Sequence, residues 1–147
     1  MVLARPKLGE EENKAVIRRF IEEFKNKANH SIVDELFSPT FVHHFQDPRL
    51  PQGREGFKIL GQSVAKAFPD VHVTIHDLVA EGDRVVERNS VAATHGGEFN
   101  GIPATGRKVA WTEIDMYRLQ DGKVVELWPE IDFLGLLTQI GAIPPPK

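Results

Sequence analysis

The sequence predicts an α+β fold in which helices cover one face of a bent antiparallel sheet. Apolar residues recur at helical spacing in the first half of the chain, and from Val71 onward the period changes to two. Three helical stretches therefore come first and a run of long strands follows, which is typical of α+β proteins. Because straight helices cannot follow a strongly curved sheet along their whole length, we expect a pocket between the two layers.

The three predicted helices lie at Glu10–Lys27, at the short stretch around Ile32–Phe37, and at Gly53–Phe68. The first helix carries a stripe of valine, isoleucine and phenylalanine at helical spacing, with charged residues on its other side. Ser31 and the acidic residue three positions later suggest a capping box for the short helix. Pro39 limits that helix.

Strands account for most of the second half. A short strand is predicted at Phe41–Phe45, after the second helix. The later strands are expected at residues 71–80, 84–95, 107–119 and 122–131, with a further short strand around Phe99. Residues 133–140 form an apolar terminal helix or coil. The dipeptide Asp121-Gly122 suits the tight turn of a hairpin between the last two long strands.

This hairpin, Trp111–Asp132, is the most informative stretch for function. Alternation places Trp111, Glu113, Asp115 and Tyr117 on one face of its first strand, and Glu126, Trp128, Glu130 and Asp132 on one face of its second. Aromatic walls with a few carboxylates are typical of small-molecule pockets. Alternation alone leaves open a second possibility, in which these acids lie on a solvated face.

Size and composition narrow the class of protein. With 147 residues, the chain is expected to form one domain, 1–147. A net charge of −3 and the lack of any basic run argue against nucleic acid or an anionic membrane as a partner. There is no cysteine, and no apolar run is long enough for a signal peptide or a membrane span. We therefore expect a cytoplasmic protein that acts on a small molecule.

The histidines offer few candidates for chemistry. His43 and His44 are neighbours on a short strand, so one of them faces inward, and His95 ends a strand beside two glycines. A metal site built from His44, His95 and a carboxylate is a minor alternative.

Acid–base chemistry by carboxyl groups is the main hypothesis. A carboxyl group walled by Trp111, Trp128, Phe41 and Tyr117 would be desolvated, which raises its pKa. A neutral acid of this kind donates a hydrogen bond to a forming enolate while a second group takes the α-proton, and no metal or cofactor is required. The alternative is that Asp115 only pairs with a nearby arginine, Arg118 or Arg88.

Several stretches of the chain together resemble a known family. They read ENKAVIRRFIEE, PQGREGFK, AFPDVHVTI, EGDRVV, THGGEFNGIPATGRKV and DGKVVELWPEIDFLGLLTQIG. In this order and spacing they are similar to the SnoaL-like polyketide cyclases, or ester cyclases, of the nuclear-transport-factor-2-like (NTF2-like) superfamily. The resemblance covers about Asn13 to Gly141.

The resemblance implies a cone-shaped sheet packed on three helices, with a pocket in the cone, and a homodimer or higher homo-oligomer. It also implies cofactor-independent ring closure of a polyketide ester by intramolecular aldol condensation. In the family, an aspartate at the position that Asp132 occupies here is the acid–base catalyst. A polar residue on the short strand after the second helix corresponds to His44 or, less well, to His43. The segment Ile114-Asp115-Met116-Tyr117-Arg118 also resembles the ketosteroid isomerases, in which the matching aspartate is a neutral hydrogen-bond donor to an enolate. That resemblance also implies His44 or Asp47 near the position of the base.

The resulting hypothesis assigns roles to individual residues on an apolar carbonyl substrate. Asp132 moves a proton at carbon, and Asp115, with Tyr117 or His44, stabilises the enolate oxygen. The other predicted substrate contacts are Trp111, Trp128, Phe41, Phe133, Glu113 and His95. Isomerisation or dehydration through the same enolate, and ligand binding without turnover, are the alternatives.

Overall fold

The computed structural model describes residues 8–45, 47–145 and 147. The first helix, α1, spans Leu8–Phe20 and continues directly as a π-helical segment, Ile21–Asn26. Helices α2, α3 and α4 span Ile32–Leu36, Gly53–Ala67 and Phe133–Gln139. The three N-terminal helices are thus confirmed, and the terminal apolar stretch is a helix.

The capping box predicted for α2 is wrong. The Ser31 hydroxyl donates to the Asn29 side chain at 2.8 Å and makes no capping bond. The Asp34 carboxylate instead accepts a hydrogen bond from Lys58 of α3 at 3.0 Å. This contact joins two helices, which the local sequence pattern could not indicate.

Five strands form one sheet in the order β1-β5-β4-β3-β2. Strand β1 spans Phe37–His43, β2 His72–Glu81, β3 Arg84–Thr94, β4 Lys108–Gln120 and β5 Lys123–Ile131. Consecutive strands from β2 to β5 pair antiparallel, but β1 lies parallel to β5. The sheet is therefore mixed, whereas the sequence predicted a wholly antiparallel sheet. The short strand expected around Phe99 is a single bridge between Phe99 and Ile102.

The core lies between the helices and one face of this sheet. Phe20 is fully buried at its centre, and its ring lies 5.0 Å from that of Phe37, 5.9 Å from that of Phe57 and 6.0 Å from that of Tyr117. These rings come from α1, β1, α3 and β4, so one aromatic cluster joins the helical layer to the sheet. In the ranges described, no helix combines the length and apolar character needed to cross a membrane.

Candidate active site

A cavity of about 720 Å³ opens between the helices and the inner face of the sheet. This volume falls in the range of small-molecule sites. Apolar side chains make most of the wall, and its aromatic members include Phe20, Phe24, Phe57, Phe68, Trp111 and Phe133. Strand β4 crosses the floor of the cavity and supplies Glu113, Asp115 and Tyr117, and the loop before α3 adds Asp47 and Arg49 to the wall.

Strand β4 presents its aromatic and acidic residues to the cavity. Trp111, Glu113, Asp115 and Tyr117 all line it, and each is buried, with at most 7% of its surface exposed. Ile114, in contrast, is 50% exposed on the outer face. The carboxylates are thus on the inner face of the sheet, and the solvated-face alternative is wrong for this strand.

Strand β3 adds two buried polar residues that sequence reasoning missed. Glu87 and Asn89 are fully buried and lie opposite Asp115 and Glu113 in the antiparallel pairing. The Asn89 amide donates to Glu87 Oε1 at 2.6 Å. Alternation along β3 could have identified them. Both residues share the inner face with Val85, and polar residues at positions where a core strand usually carries apolar ones indicate a functional site.

Lys25, also missed, brings a positive charge into the cavity from the π-helical segment. Its Nζ lies 2.9 Å from Glu113 Oε1 and 3.6 Å from Asp115 Oδ2. The wider π turn lets two consecutive residues, Phe24 and Lys25, line the cavity, and such turns are frequent at functional sites. Burial lowers the pKa of Lys25, but the charges of Glu113, Asp115 and Glu87 outweigh this effect and raise it. The amine therefore stays protonated.

The three buried carboxyl groups differ in protonation. Burial alone would raise the pKa of Glu113, but the charge of Lys25 and hydrogen bonds from Lys25, Trp111 and Asn89 lower it. Burial raises the pKa of Asp115 to about 7, and the charges of Glu113 and Glu87 add to the effect against the opposing influence of Lys25. Burial likewise raises the pKa of Glu87. Glu113 is thus the carboxylate partner of Lys25, while Asp115 and Glu87 tend to hold protons.

Four buried oxygen atoms at this site lack a hydrogen-bond partner among the residues described. They are Glu87 Oε2, Asn89 Oδ1, Asp115 Oδ1 and the Tyr117 hydroxyl. Burial, together with the nearby carboxyl groups, raises the pKa of Tyr117 well above its ordinary value, so the phenol remains a donor. A phenol, an ammonium group and a carboxyl group with a pKa near neutrality therefore surround one end of an apolar cavity. Such a set is suited to moving a proton and stabilising an enolate oxygen.

Of the paired histidines, His43 faces the cavity and His44 does not. His43 is buried among aromatic rings, and this burial, helped by the charges of His44 and Lys25, lowers its pKa to about 4. His44 lies on the outer face, where its ring stacks on Trp128 at 4.7 Å and Nε2 contacts Glu126 at 2.7 Å. The preference for His44 as the inward residue is therefore wrong.

Trp128, predicted to be a wall of the pocket, lies on the outward face of β5. Trp128 pairs with Met116 and Glu130 with Ile114, both outer residues of β4, so Trp128 is not a cavity wall. Its ring lies between His44 and the guanidinium of Arg84, which is 5.1 Å from the ring centre. Strand alternation predicts that these β5 residues share a face, but it does not say which face points inward.

Asp132 lies outside the cavity as well. Its side chain is exposed, and Oδ1 accepts a hydrogen bond of 2.9 Å from the Gly135 amide, which caps α4. The next residue, Phe133, lines the cavity as predicted. The geometry therefore gives Asp132 a capping contact and does not bring it to Asp115, contrary to the expectation that the two carboxyl groups act together.

Two other predicted contacts lie behind the wall. Phe41 is a core residue whose ring packs on that of Phe37 at 4.6 Å and does not reach the cavity surface. His95 is fully buried, with Nδ1 3.0 Å from the Thr105 hydroxyl, and it too does not line the cavity. Both side chains are buried in the protein interior and do not line the cavity, so neither is the substrate contact that was predicted.

The structure also excludes the partners proposed for a purely structural Asp115. Arg118 binds Glu126 at 2.5 Å and Arg88 binds Asp77 at 2.6 Å, both on the outer face. Over the described ranges, no group of three or more His, Cys, Asp or Glu side chains has a metal-binding arrangement.

Comparison with known proteins agrees with the fold and identifies the family. The family model for the SnoaL-like polyketide cyclases matches residues 15–140. The aklanonic acid methyl ester cyclase DnrD of Streptomyces peucetius is 27% identical over 133 residues, which cover 86% of this chain and 88% of the relative.

Two solved structures are similar over almost the whole chain. TsrD from Streptomyces laurentii is 30% identical with a TM-score of 0.82, covering 97% of this chain and 100% of the other. AclR from Streptomyces galilaeus, for which a hydroxylase function is suggested, is 33% identical with a TM-score of 0.82, covering 94% of this chain and 86% of the other. The α+β fold is thus confirmed, and the chain belongs to the SnoaL-like polyketide cyclase family.

Proposed function

We propose that the protein closes a ring in a polyketide-like ester by cofactor-independent intramolecular aldol condensation. The observation that carries the proposal is Asp115, a buried carboxyl group with a pKa of about 7 at the floor of an apolar cavity. A pKa near the working pH is what a group needs to accept and return a proton efficiently. The names of two relatives, both aklanonic acid methyl ester cyclases, support a methyl ester as the substrate class.

The proposed reaction begins with Asp115 as a carboxylate. It removes a proton from the carbon between two carbonyl groups, and the electron pair of that C–H bond becomes the enolate. The enolate carbon then attacks a second carbonyl carbon of the same molecule, so that one C–C bond forms as a C=O π bond opens. Asp115 returns its proton to the resulting alkoxide, and no atom is gained or lost.

Two donors stabilise the enolate oxygen in this scheme. The Tyr117 hydroxyl has no other described partner and stays protonated, and the Lys25 ammonium lies within 3.6 Å of Asp115. Donors fixed in a water-poor site are more effective than the same groups in water. Because the pKa of Lys25 is raised, this amine acts as a cation in the scheme and not as a nucleophile that forms a Schiff base.

The family resemblance assigns the acid–base role to Asp132, whereas the geometry favours Asp115. We therefore propose Asp115 as the proton carrier and Asp132 as a helix cap. We further propose, from the family resemblance, that the protein works as a homodimer or higher homo-oligomer. The apolar wall selects a substrate whose bulk is aromatic or aliphatic.

Exchange of α-protons in deuterated buffer tests the assignment. Wild type, Asp115→Asn and Asp132→Asn are incubated with aromatic β-keto esters and polyketide methyl esters, and deuterium incorporation is followed by NMR. We expect exchange to fall at least about 100-fold in Asp115→Asn, the usual loss when a general base is removed. Asp132→Asn should retain exchange within a few-fold.

The opposite ranking of the two variants would move the proton transfer to Asp132. Binding across the panel with no exchange in the wild-type protein would contradict the catalytic proposal and favour a ligand-binding protein. Thermal unfolding of both variants serves as the control for folding.

Isomerisation through the same enolate is a second candidate. It is favoured by one observation, the placement of Asp115 and Tyr117 as alternate residues on the inner face of β4, both able to donate to an oxygen. Product analysis separates the two reactions, because isomerisation moves a double bond and forms no new ring.

A further inference from the structure

Glu87 and Asp115 form an unusual pair at the floor of the cavity. They lie directly opposite each other in the antiparallel pairing of β3 and β4. Both side chains point inward, and their exposed fractions are 0% and 2%. Like charges directly opposite each other on neighbouring strands are destabilising, so two full negative charges at this position would be unfavourable.

One oxygen on each carboxyl group has no partner in the part of the chain that is described. These are Glu87 Oε2 and Asp115 Oδ1. The other oxygens are occupied, since Glu87 Oε1 accepts from Asn89 at 2.6 Å and Asp115 Oδ2 lies 3.6 Å from Lys25 Nζ. A proton on either carboxyl group acts as a hydrogen-bond donor to these oxygens, a donor that no surrounding side chain among the described residues provides.

Glu113, the third carboxyl group of the cluster, does not share a proton in this way. Its oxygens are engaged by donors, namely Lys25 Nζ at 2.9 Å, Trp111 Nε1 at 2.9 Å and the Asn89 amide at 3.4 Å. A carboxylate that accepts several hydrogen bonds and an ion pair remains charged. The shared proton therefore belongs to Glu87 and Asp115.

We propose that Glu87 and Asp115 hold one proton between them and that Glu87 is the positioning residue that sets the protonation of Asp115. Its meaning for catalysis rests on the function proposed above, but the sharing of the proton does not. With the shared proton on Glu87, Asp115 is a carboxylate that can take a proton from substrate and later return it, so the pair goes from one proton to two and back to one. With the shared proton on Asp115, Glu87 is the carboxylate and Asp115 is a neutral donor. Glu87 does not line the cavity, so it acts through Asp115 and not on the substrate.

The ionisable groups around the pair come from four elements. Lys25 faces it from the π-helical segment, Glu113 and Tyr117 from β4, and Glu87 itself from β3. His43 of β1 lines the same cavity. Among the residues described, the Glu87–Asp115 pair alone combines opposed carboxyl groups with an unpartnered oxygen on each. Replacing Glu87 therefore changes the proton sharing and leaves the ion pair of Lys25 with Glu113 in place.

The test is a direct titration of Asp115 in ligand-free protein labelled with ¹³C at the aspartate carboxyl carbons. The Asp115 signal is assigned from its loss in Asp115→Asn, and its pKa is then measured in wild type, Glu87→Gln and the surface control Glu130→Gln. Removing an adjacent like charge lowers the pKa of a carboxyl group, so we expect a fall of about one unit in Glu87→Gln. Glu130 is exposed on β5, and Glu130→Gln should leave the pKa unchanged.

The same pKa in wild type and Glu87→Gln would overturn the proposal. If Glu87→Gln does not fold, infrared spectroscopy of the wild-type protein decides the matter: a protonated carboxyl group must persist at pH 6, and its absence overturns the proposal.

A pH profile then connects the pair to catalysis. The limb of kcat assigned to Asp115 should move to lower pH in Glu87→Gln by the same amount as the measured pKa. A wild-type protein that shows the shared proton by titration but no exchange or turnover would contradict the proposed function and leave the proton pair supported.

Discussion

Lys25 is the residue on which the charge balance of the buried cluster depends. It is the cationic partner of Glu113 and lies close to Asp115. Removing one partner of a buried ion pair leaves an uncompensated charge, which typically costs about 3–5 kcal/mol. We therefore expect Lys25→Met to lower the free energy of unfolding by about that amount at pH 8, as measured by urea denaturation. The exposed lysine of the same region, Lys27, is the control, and Lys27→Met should change stability by less than about 1 kcal/mol.

The pH dependence of the Lys25→Met variant is the more specific readout. In the wild-type protein the pKa of Glu113 is lowered, so its contribution to stability is present above its ordinary pKa of about 4.3 and is lost as the pH falls. Without Lys25, burial dominates and raises the pKa of Glu113. The native state then binds this proton more tightly than the unfolded state, and stability falls as the pH rises from about 5 to 8. A variant equally destabilised at both pH values would contradict the ion-pair account.

At the scale of elements, the loop between β3 and β4 approaches α3 closely enough to require glycine. A Cβ atom on Gly97 would collide with the carbonyl oxygen of Lys66. The Gly97 amide also donates to the Ala67 carbonyl at 3.0 Å, and the same loop carries Phe99 to the cavity wall. We expect Gly97→Ala to displace the loop, cost about 1–3 kcal/mol of stability and weaken ligand binding, as measured by urea denaturation and titration with an aromatic β-keto ester.

Gly101 in the same loop provides the matched control. Nothing lies within 4 Å of a Cβ atom there, but its φ of +81° is unfavourable for alanine. Gly101→Ala should therefore cost about 1–2 kcal/mol through backbone strain without affecting binding. Equal effects of both variants on binding would show that the Gly97 contact does not position the cavity wall.

The elements also show which parts of the structure could be predicted from the sequence. Alternation placed Glu113 and Asp115 on one face of β4, and the helices were recognised from their apolar stripes. It did not show that the face of β5 bearing Trp128 lies outside. The opposite face, with Leu127, Pro129 and Ile131, is apolar and lines the cavity, but an aromatic residue among carboxylates resembled a pocket wall, and only the pairing with β4 decides between the two faces. Lys25 was not predicted because a π turn departs from the 3.6-residue period. The strand predicted at Phe41–Phe45 is β1, but its start at Phe37 and its parallel pairing were not predicted, because its partner β5 is more than 80 residues away.

At the scale of the whole molecule, the sheet separates two polar regions that have similar residue types. The inner region contains Trp111 with the buried carboxyl groups, and the outer one contains Trp128 with His44, Arg84 and Glu126. The outer set is exposed to solvent or half-buried, and Glu126 forms a surface ion pair with Arg118, which contributes only about 0–1 kcal/mol to stability. Of these two regions, the inner one has the cavity of about 720 Å³ and the burial that raises the pKa of Asp115, which supports the proposal that the chemistry takes place there.

The chain's two tryptophans allow this division to be tested with one ligand. Trp128→Phe leaves Trp111, which lines the cavity, and Trp111→Phe leaves Trp128, on the opposite face. An aromatic β-keto ester that enters the cavity should change the fluorescence of Trp128→Phe as it does that of wild type, because the indole environment depends on direct contact. The same titration of Trp111→Phe should give little or no change, with binding verified by calorimetry. A ligand response confined to Trp128 would place the binding site on the outer face and contradict the cavity, and with it the roles proposed for Asp115 and Glu87.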